Sequence, residues 1–186
     1  SLMPQKQDPW MLEHLQTIDR RWIFLFMVVA VILPFAFSLT FDEAATPEVR
    51  ATYELINDLP KGSKVLVSFD FDPPSEPELQ PMADSFVRHL CHQKQKIYFM
   101  ALWPMGQAET MDTVSRVINQ EFPNYTYGQD YVMLGFKPGG QGVIQVVVSE
   151  IRALYTTDAL GTPIDDIPMM QNVRKLNDID LILNIS

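Results

Sequence analysis

The stretch YVMLGFKPGGQGVIQVVV, residues 131 to 148, contains one complete unit of the predicted fold. The apolar run at 131 to 136 has the length and composition of a buried strand. The loop KPGG follows, and apolar residues then recur at helical spacing at Val143, Ile144, Val147, Ile151 and Leu154. VIQVVV alone would also suit a strand, because β-branched residues favour sheets. We prefer a helix over residues 142 to 155, since the segment is too long for one strand.

The same alternation of strand and helix extends through the rest of the chain. KVLVSFDF, KIYFMALW and IDLILNIS predict three further strands. Helices are predicted from Pro47 and over 108 to 122, and residues 73 to 93 predict a loop followed by a helix. Met82 and Met111 are expected on the inward faces of the last two helices. Apolar strands alternating with amphipathic helices predict a parallel sheet covered on both faces. Right-handed crossovers then give a three-layer α/β domain of the Rossmann-like or flavodoxin-like class.

Ahead of this domain, WIFLFMVVAVILPFAFSLTF at 22 to 41 carries no charged residue in 20 positions. As a helix it would be about 30 Å long, the thickness of the hydrocarbon core of a bilayer. The run is too long for a cleaved signal peptide, and it predicts a single transmembrane helix. Arg20 and Arg21 precede it and acidic residues follow it, so we expect a cytoplasmic N-terminus and an extracytoplasmic domain.

One side of this predicted span is expected to contact other integral membrane subunits, through Phe24, Val28, Val31 and Phe35. Residues 8 to 19 suit an amphipathic helix lying on the lipid bilayer, with a disordered cytoplasmic tail as the alternative. The predicted organisation is a tail at 1 to 21, a transmembrane helix at 22 to 41, a linker and first helix at 42 to 62, and the α/β domain at 63 to 186. Because an apolar strand is the last element, we expect that domain to continue beyond residue 186.

The charge distribution and the single cysteine limit the kinds of binding partner and of thiol chemistry that the protein can have. The net charge of −9 falls entirely after residue 41, and no basic patch is visible. An acidic domain of this kind is a poor partner for nucleic acid, whose binding depends on neutralising phosphates. Cys91 is the single cysteine, so no internal disulfide can form. A buried free thiol is the preferred interpretation, with a reactive thiol as the alternative.

Ligand-binding loops of parallel sheets lie at the carboxyl ends of the strands, which singles out DFDPPSE, WPMGQAE and FKPGGQG. If a helix follows the glycines, its N-terminus attracts anions and a lysine adds positive charge. We therefore predict a weak ligand site at Lys137, Gly139, Gly140, Asp70 and Asp72. The alternative is structural: Pro138 and Gly139 form a turn, while Gly140 and Gly142 permit close helix packing. Neither a Gly-Lys-Ser/Thr end nor the G-x-G-x-x-G spacing is present.

Catalytic chemistry has little support in the sequence. The Asp70-x-Asp72 pair resembles the motif of haloacid-dehalogenase-like phosphatases, but those continue into Gly-Thr, whereas Pro73 and Pro74 follow here. Capping of the loop, or simple solvation, is the preferred interpretation of the pair. His89 and His92 could share a metal at i, i+3, but no matching ligand set accompanies them. We assign no catalytic residue, no metal and no cofactor.

The order of elements is similar to that of gliding-type ABC-transporter auxiliary subunits, the GldG-like group, which place a Rossmann-like domain after one membrane helix. LINDLPKGSKVLVSFDFDPP resembles the first strand–helix unit of that group, and FDFDPPSEPELQPMA and YVMLGFKPGG resemble uncharacterised bacterial single-pass membrane proteins. The resemblance implies a non-catalytic accessory or structural subunit of a larger complex in the bacterial inner membrane. An extracytoplasmic ligand-binding or sensing domain is the alternative, and a membrane-anchored hydrolase is the third possibility.

Overall fold

The computed structural model describes residues 19 to 37 and 46 to 186, which divide into a unit up to Thr46 and a second unit, Pro47–Ser186. The first unit contains helix α1, Arg20–Ala36, with Pro34 inside it. At its start, the backbone N–H of Arg21 donates to a side-chain oxygen of Asp19 at 3.1 Å. The predicted amphipathic helix at 8 to 19 falls almost wholly on residues 1 to 18, outside the described ranges.

Helix α1 exposes apolar side chains around its whole circumference. Its large apolar side chains from Trp22 to Leu33 are between 47% and 75% exposed. Within the described ranges, no helix combines the length and the apolar character that crossing a membrane requires. The transmembrane helix expected over 22 to 41 therefore stays a prediction, and its residues 38 to 41 lie outside those ranges.

The second unit is built on four parallel strands. These are β1 (Lys64–Phe69), β2 (Lys96–Ala101), β3 (Tyr131–Phe136) and β4 (Leu181–Ile185), in the order β3-β2-β1-β4. Every pairing between them is parallel, and Val65 of β1 lies between Ile97 of β2 and Leu181 of β4. This is the order of the first four strands of a Rossmann sheet. The prediction of an α/β fold with a parallel sheet is confirmed.

Within this unit, one helix precedes β1, and the other helices lie between successive strands. They are α2 (Pro47–Asp58), α3 (Glu76–His92), α4 (Gly106–Thr113), α5 (Gly140–Ser149) and α6 (Ile151–Leu154). Helix α4 continues into a π-helical segment, Val114–Asn119. A short 3-10 turn, Pro73–Ser75, precedes α3, and three others, Ile164–Asp166, Pro168–Met170 and Leu176–Asp178, lie between α6 and β4.

Successive residues along each strand point to opposite faces of the sheet, and their side chains pack into two separate hydrophobic cores, one on each face. On the first face, Val65, Val67 and Phe69 pack with buried residues of α2, α3 and the π-helical segment, including Ile56, Val87 and Val117. On the second face, the core comprises Leu66, Tyr98, Val132, Val147, Ile151 and Met170. Burial of each such aliphatic side chain contributes about 1.5–3 kcal/mol. The predicted covering of both faces is confirmed.

Two details of the predicted helices are wrong. The helix expected over 142 to 155 is two helices, broken at Glu150, where the backbone has φ −157° and ψ 89°. The break allows the N–H of Ile151 to donate to the carbonyl of Arg174 at 2.6 Å, a bond to a distant segment. Met82 and Met111 are 37% and 41% exposed rather than inward, because the buried faces of the two helices pass through the adjacent residues Ala83 and Thr110.

Candidate functional site

The carboxyl ends of all four strands meet at one edge of the sheet, since every strand is parallel. Hydrogen bonds join these ends in sequence around Asp70. Its N–H donates to the carbonyl of Ile185 at 2.9 Å, at the end of β4. The N–H of Leu102 donates to Asp70 Oδ1 at 2.6 Å, just after β2. The N–H of Lys137 in turn donates to the carbonyl of Ala101 at 3.1 Å, which ties in β3.

Asp70 is therefore held at the centre of this edge. Its second oxygen, Oδ2, accepts a hydrogen bond of 2.5 Å from the hydroxyl of Ser68. The side chain is half-buried, and no Lys, Arg or His within the described part of the chain forms an ion pair with it. The carboxylate thus organises the strand ends while its negative charge has no cationic partner there.

Asp72 has a different role, the capping of a turn. Its Oδ1 accepts from the hydroxyl of Ser75 at 2.7 Å and from the N–H of Ser75 at 3.3 Å, at the start of the 3-10 turn. This agrees with loop capping as the interpretation of Asp72. Asp70 and Asp72 are therefore held by different partners, although they lie only two residues apart.

The glycine loop leads directly into α5. Gly139 is the N-terminal cap of that helix and has φ +140°, a conformation that side chains rarely adopt. An added Cβ at Gly139 would also lie 2.7 Å from Cγ2 of Val143, which supports the predicted turn. At Gly142 an added Cβ would meet nothing within 4 Å, so close packing was the wrong explanation for this glycine. The surroundings of Gly140 lie outside what the structure describes.

Lys137 contacts an aromatic ring beside this loop. Its Nζ lies 5.2 Å from the ring centroid of Tyr155, within cation–π range. Tyr155 is fully buried, and burial together with the nearby charge of Asp70 raises the pKa of its hydroxyl. The loop and the lysine are thus neighbours in the fold, and anion binding by Lys137, Gly139 and Gly140 stays a prediction.

The histidines of α3 make structural contacts. The ring of His89 stacks on Tyr53, with centroids 4.3 Å apart, and its Nε2 lies 3.0 Å from Oδ1 of Asn57. Desolvation, followed by the charge of His92, lowers the pKa of His89. His92 packs edge-on against the ring of Phe122. Within residues 19 to 37 and 46 to 186, no three His, Cys, Asp or Glu side chains are grouped to hold a metal.

Cys91 is a buried free thiol, which confirms the preferred interpretation of this cysteine. Burial raises the pKa of its thiol to about 12, with smaller contributions from the charges of Glu121 and Asp130. At neutral pH the thiol is protonated and shielded, which makes it a poor nucleophile.

Sequence reasoning missed a groove on the second face of the sheet. It has a volume of about 200 Å³ and is lined by Leu66, Ser68, Asp70, Met100, Leu102, Val147, Leu176, Ile182 and Asn184. A signal was present: Ser68 and Asn184 interrupt two otherwise apolar strands. The sequence does not show that Ser68 and Asn184 are neighbours, because they lie opposite each other only when β1 pairs with β4. We call this site the β4 groove.

Comparison of the chain with known protein families, with curated proteins and with solved structures finds no match in any of the three. The resemblance to GldG-like subunits accordingly stays a prediction.

Proposed function

We propose that this protein is a non-catalytic accessory subunit of a larger membrane complex, anchored by a single apolar helix. The observation that carries the proposal is the exposure of α1. After Arg20 and Arg21, α1 carries no charged residue, and an apolar helix that is about half exposed or more on every side needs a covering of lipid or of other apolar helices. The acidic α/β domain would then be held at the membrane on the extracytoplasmic side.

The hydrogen bonding at the sheet edge supports a non-catalytic role. The carboxylates of Asp70 and Asp72 accept hydrogen bonds that join strand ends and cap a turn. Each carboxylate thus has a structural duty in the domain. In the proposed complex, the domain serves assembly rather than chemistry.

The predicted partner-facing side of α1 provides the test. Phe24, Val28 and Val31 are 65%, 51% and 60% exposed, and the side chain of Phe35 is not described. We expect that changing these four residues to leucine keeps the protein in the membrane fraction but releases it from its partners. Packing between membrane helices depends on shape, so equal hydrophobicity does not restore the contact. Co-purification after mild detergent extraction measures the result.

The matched control places the same kind of change on the opposite side of the helix. Phe26→Leu with Val29→Leu alters apolar volume similarly, and we expect it to leave the complex intact. Replacing residues 22 to 41 with polyleucine should release the partners as the four-residue change does. If the polyleucine protein still co-purifies with the same partners in normal amounts, attachment resides elsewhere and the helix is only an anchor. Loss of the protein from membranes in alkaline carbonate would contradict the proposed anchoring itself.

A further inference from the structure

The β4 groove lies between the exposed strand β4 and helix α5. Its rim is formed by Ile182, which is 47% exposed, and Val147 of α5 lines its other side. The volume of about 200 Å³ compares with the roughly 150 Å³ apolar cavity that holds a benzene-sized molecule in another protein. The groove is therefore large enough for a small organic ligand and too small for a drug-sized one.

Most of the lining is apolar. Leu66 lies on β1, Met100 lies on β2 and Leu102 directly follows β2. The other apolar side chains are Ile182 of β4, Val147 of α5 and Leu176 of the last 3-10 turn. Such a lining favours the hydrocarbon part of a ligand, because each buried Å² of apolar surface is removed from water.

Polar groups are confined to one strip of the groove. Ser68 and Asp70 lie on the same side of the β1 chain, two residues apart, and Asn184 is the register partner of Ser68 on β4. The hydroxyl of Ser68 donates to Asp70 Oδ2, and Nδ2 of Asn184 donates to the hydroxyl of Ser186 at 3.4 Å. A carboxylate has about four lone-pair positions, so Asp70 can accept further hydrogen bonds beyond those from Ser68 and Leu102.

The charge of this strip is unbalanced. In the described ranges, the arginines that form ion pairs are bound to other carboxylates, at Glu121, Asp84 and Asp165. Lys137, which directly follows β3, lies over the ring of Tyr155. A half-buried carboxylate beside apolar walls is stabilised by a cation that donates hydrogen bonds to it.

We propose that the β4 groove binds a small organic ammonium compound. Its hydrocarbon body packs on Leu66, Met100 and Ile182, and its N–H groups donate to the carboxylate of Asp70 and to the side-chain oxygen of Asn184. This site is independent of the membrane assembly proposed above, because it lies wholly within the second unit.

Cyclohexylammonium is a suitable probe, and cyclohexanol is its neutral counterpart of nearly equal size. The full chain, labelled on its Ile, Leu and Met methyl groups, is titrated with each compound and followed by NMR. We expect saturable shifts centred on the methyls of Leu66, Met100 and Ile182, with the ammonium compound binding about tenfold more tightly than the alcohol. Equal affinity for the two compounds, or shifts spread over the surface, would overturn the proposal.

Two pairs of variants locate the site. Asp70→Asn keeps an oxygen for the N–H of Leu102 and an amide for the hydroxyl of Ser68, but removes the charge. It should weaken cyclohexylammonium binding about tenfold and leave cyclohexanol binding within about twofold. Asp72→Asn, outside the groove, should change neither, and an equal loss there would show that binding is merely electrostatic.

The second pair tests the apolar wall. Ile182→Gln should weaken binding of both compounds, whereas Leu160→Gln, at a 56% exposed position outside the groove, should not. If the Asp70 variant fails to fold, as judged by the dispersion of its methyl signals, the comparison of ammonium with alcohol on the unaltered protein still decides. If a folded Asp70→Asn protein binds cyclohexylammonium with unchanged affinity, the proposal is wrong.

Discussion

Gly106 lies where helix α4 begins, closer to the end of β1 than any side chain allows. An added Cβ would stand 1.9 Å from the carbonyl oxygen of Phe69 and 2.9 Å from Cβ of Ala101. Both obstacles belong to the rigid sheet, so neither can yield as a flexible side chain would. The first turn of α4 can approach the strand ends only because this residue is glycine.

We predict that Gly106→Ala lowers the free energy of unfolding by about 3 kcal/mol or more, since the clash must displace α4 or the sheet. Gly142→Ala is the matched control, because an added Cβ there meets nothing within 4 Å and α5 gains a better helix former. It should be neutral or stabilising by up to about 1 kcal/mol. Urea unfolding followed by circular dichroism measures both. Equal stability of the two variants would contradict the close approach at Gly106.

At the scale of elements, helix α3 is joined to α4 by a polar network around Asp84. Its Oδ1 accepts from the hydroxyl of Thr113 at 3.0 Å and from Nε2 of Gln80 at 3.0 Å. Nε of Arg116 donates to its Oδ2 at 3.1 Å, and this hydrogen bond raises the pKa of the arginine. Thr113 and Gln80 are buried, and Nε2 of Gln80 also donates to the hydroxyl of Thr113 at 2.5 Å, so the hydroxyl of Thr113 has Asp84 rather than water as its acceptor.

We predict that Asp84→Ala costs about 2 kcal/mol of stability, because buried donors lose their acceptor. A second link from α3, the pair of Arg88 with Glu121 just after the π-helical segment, provides the comparison. Two N–H···O bonds of 2.6 and 2.7 Å join them, but both side chains are more than a third exposed. Glu121→Ala should therefore cost clearly less, since water replaces the lost contact. The idea of a dominant buried network fails if thermal unfolding shows the two variants equally destabilised.

Over the whole molecule, Arg20 and Arg21 before the apolar run and the acidic residues after it predict opposite locations for the two ends of the chain. We predict that a cysteine at the exposed Gln171 reacts with a membrane-impermeant maleimide in intact cells. A cysteine at Gln7 should react only after the cells are permeabilised.

Cys91 serves as an internal control in the same experiment. It is buried and its pKa is raised to about 12, so it should stay unlabelled near neutral pH in the folded protein. At pH values below this pKa the thiol is protonated. In the unfolded chain the pKa of the thiol returns to its ordinary value of 9.0, and the thiol becomes reactive. Labelling of Gln7→Cys in intact cells, with Gln171→Cys protected, would reverse the predicted orientation.

Hydrophobic periodicity was sufficient to predict the elements of the sheet. All four strands were recognised from their apolar runs, although Ser68 and Asn184 interrupt two of them, and the helices followed from spacing and from proline and glycine at their ends. Where one predicted helix proved to be two, a bond to a distant segment accompanies the difference. Periodicity alone shows no break at Glu150, because the bond that accompanies the break joins Ile151 to Arg174.

The sequence by itself determined the class of fold, because a continuous apolar run and an apolar spacing near 3.6 residues are local properties that each segment carries alone. Tertiary structure decided the roles of the loop residues, since those depend on which strand ends meet. It separated Asp70, bound to Leu102 and Ser68, from Asp72, which caps its own turn. It also created the β4 groove, whose polar strip forms only when residues 68 and 184 are brought into register. Contacts between segments more than 100 positions apart leave no periodic trace, and such contacts shape the groove.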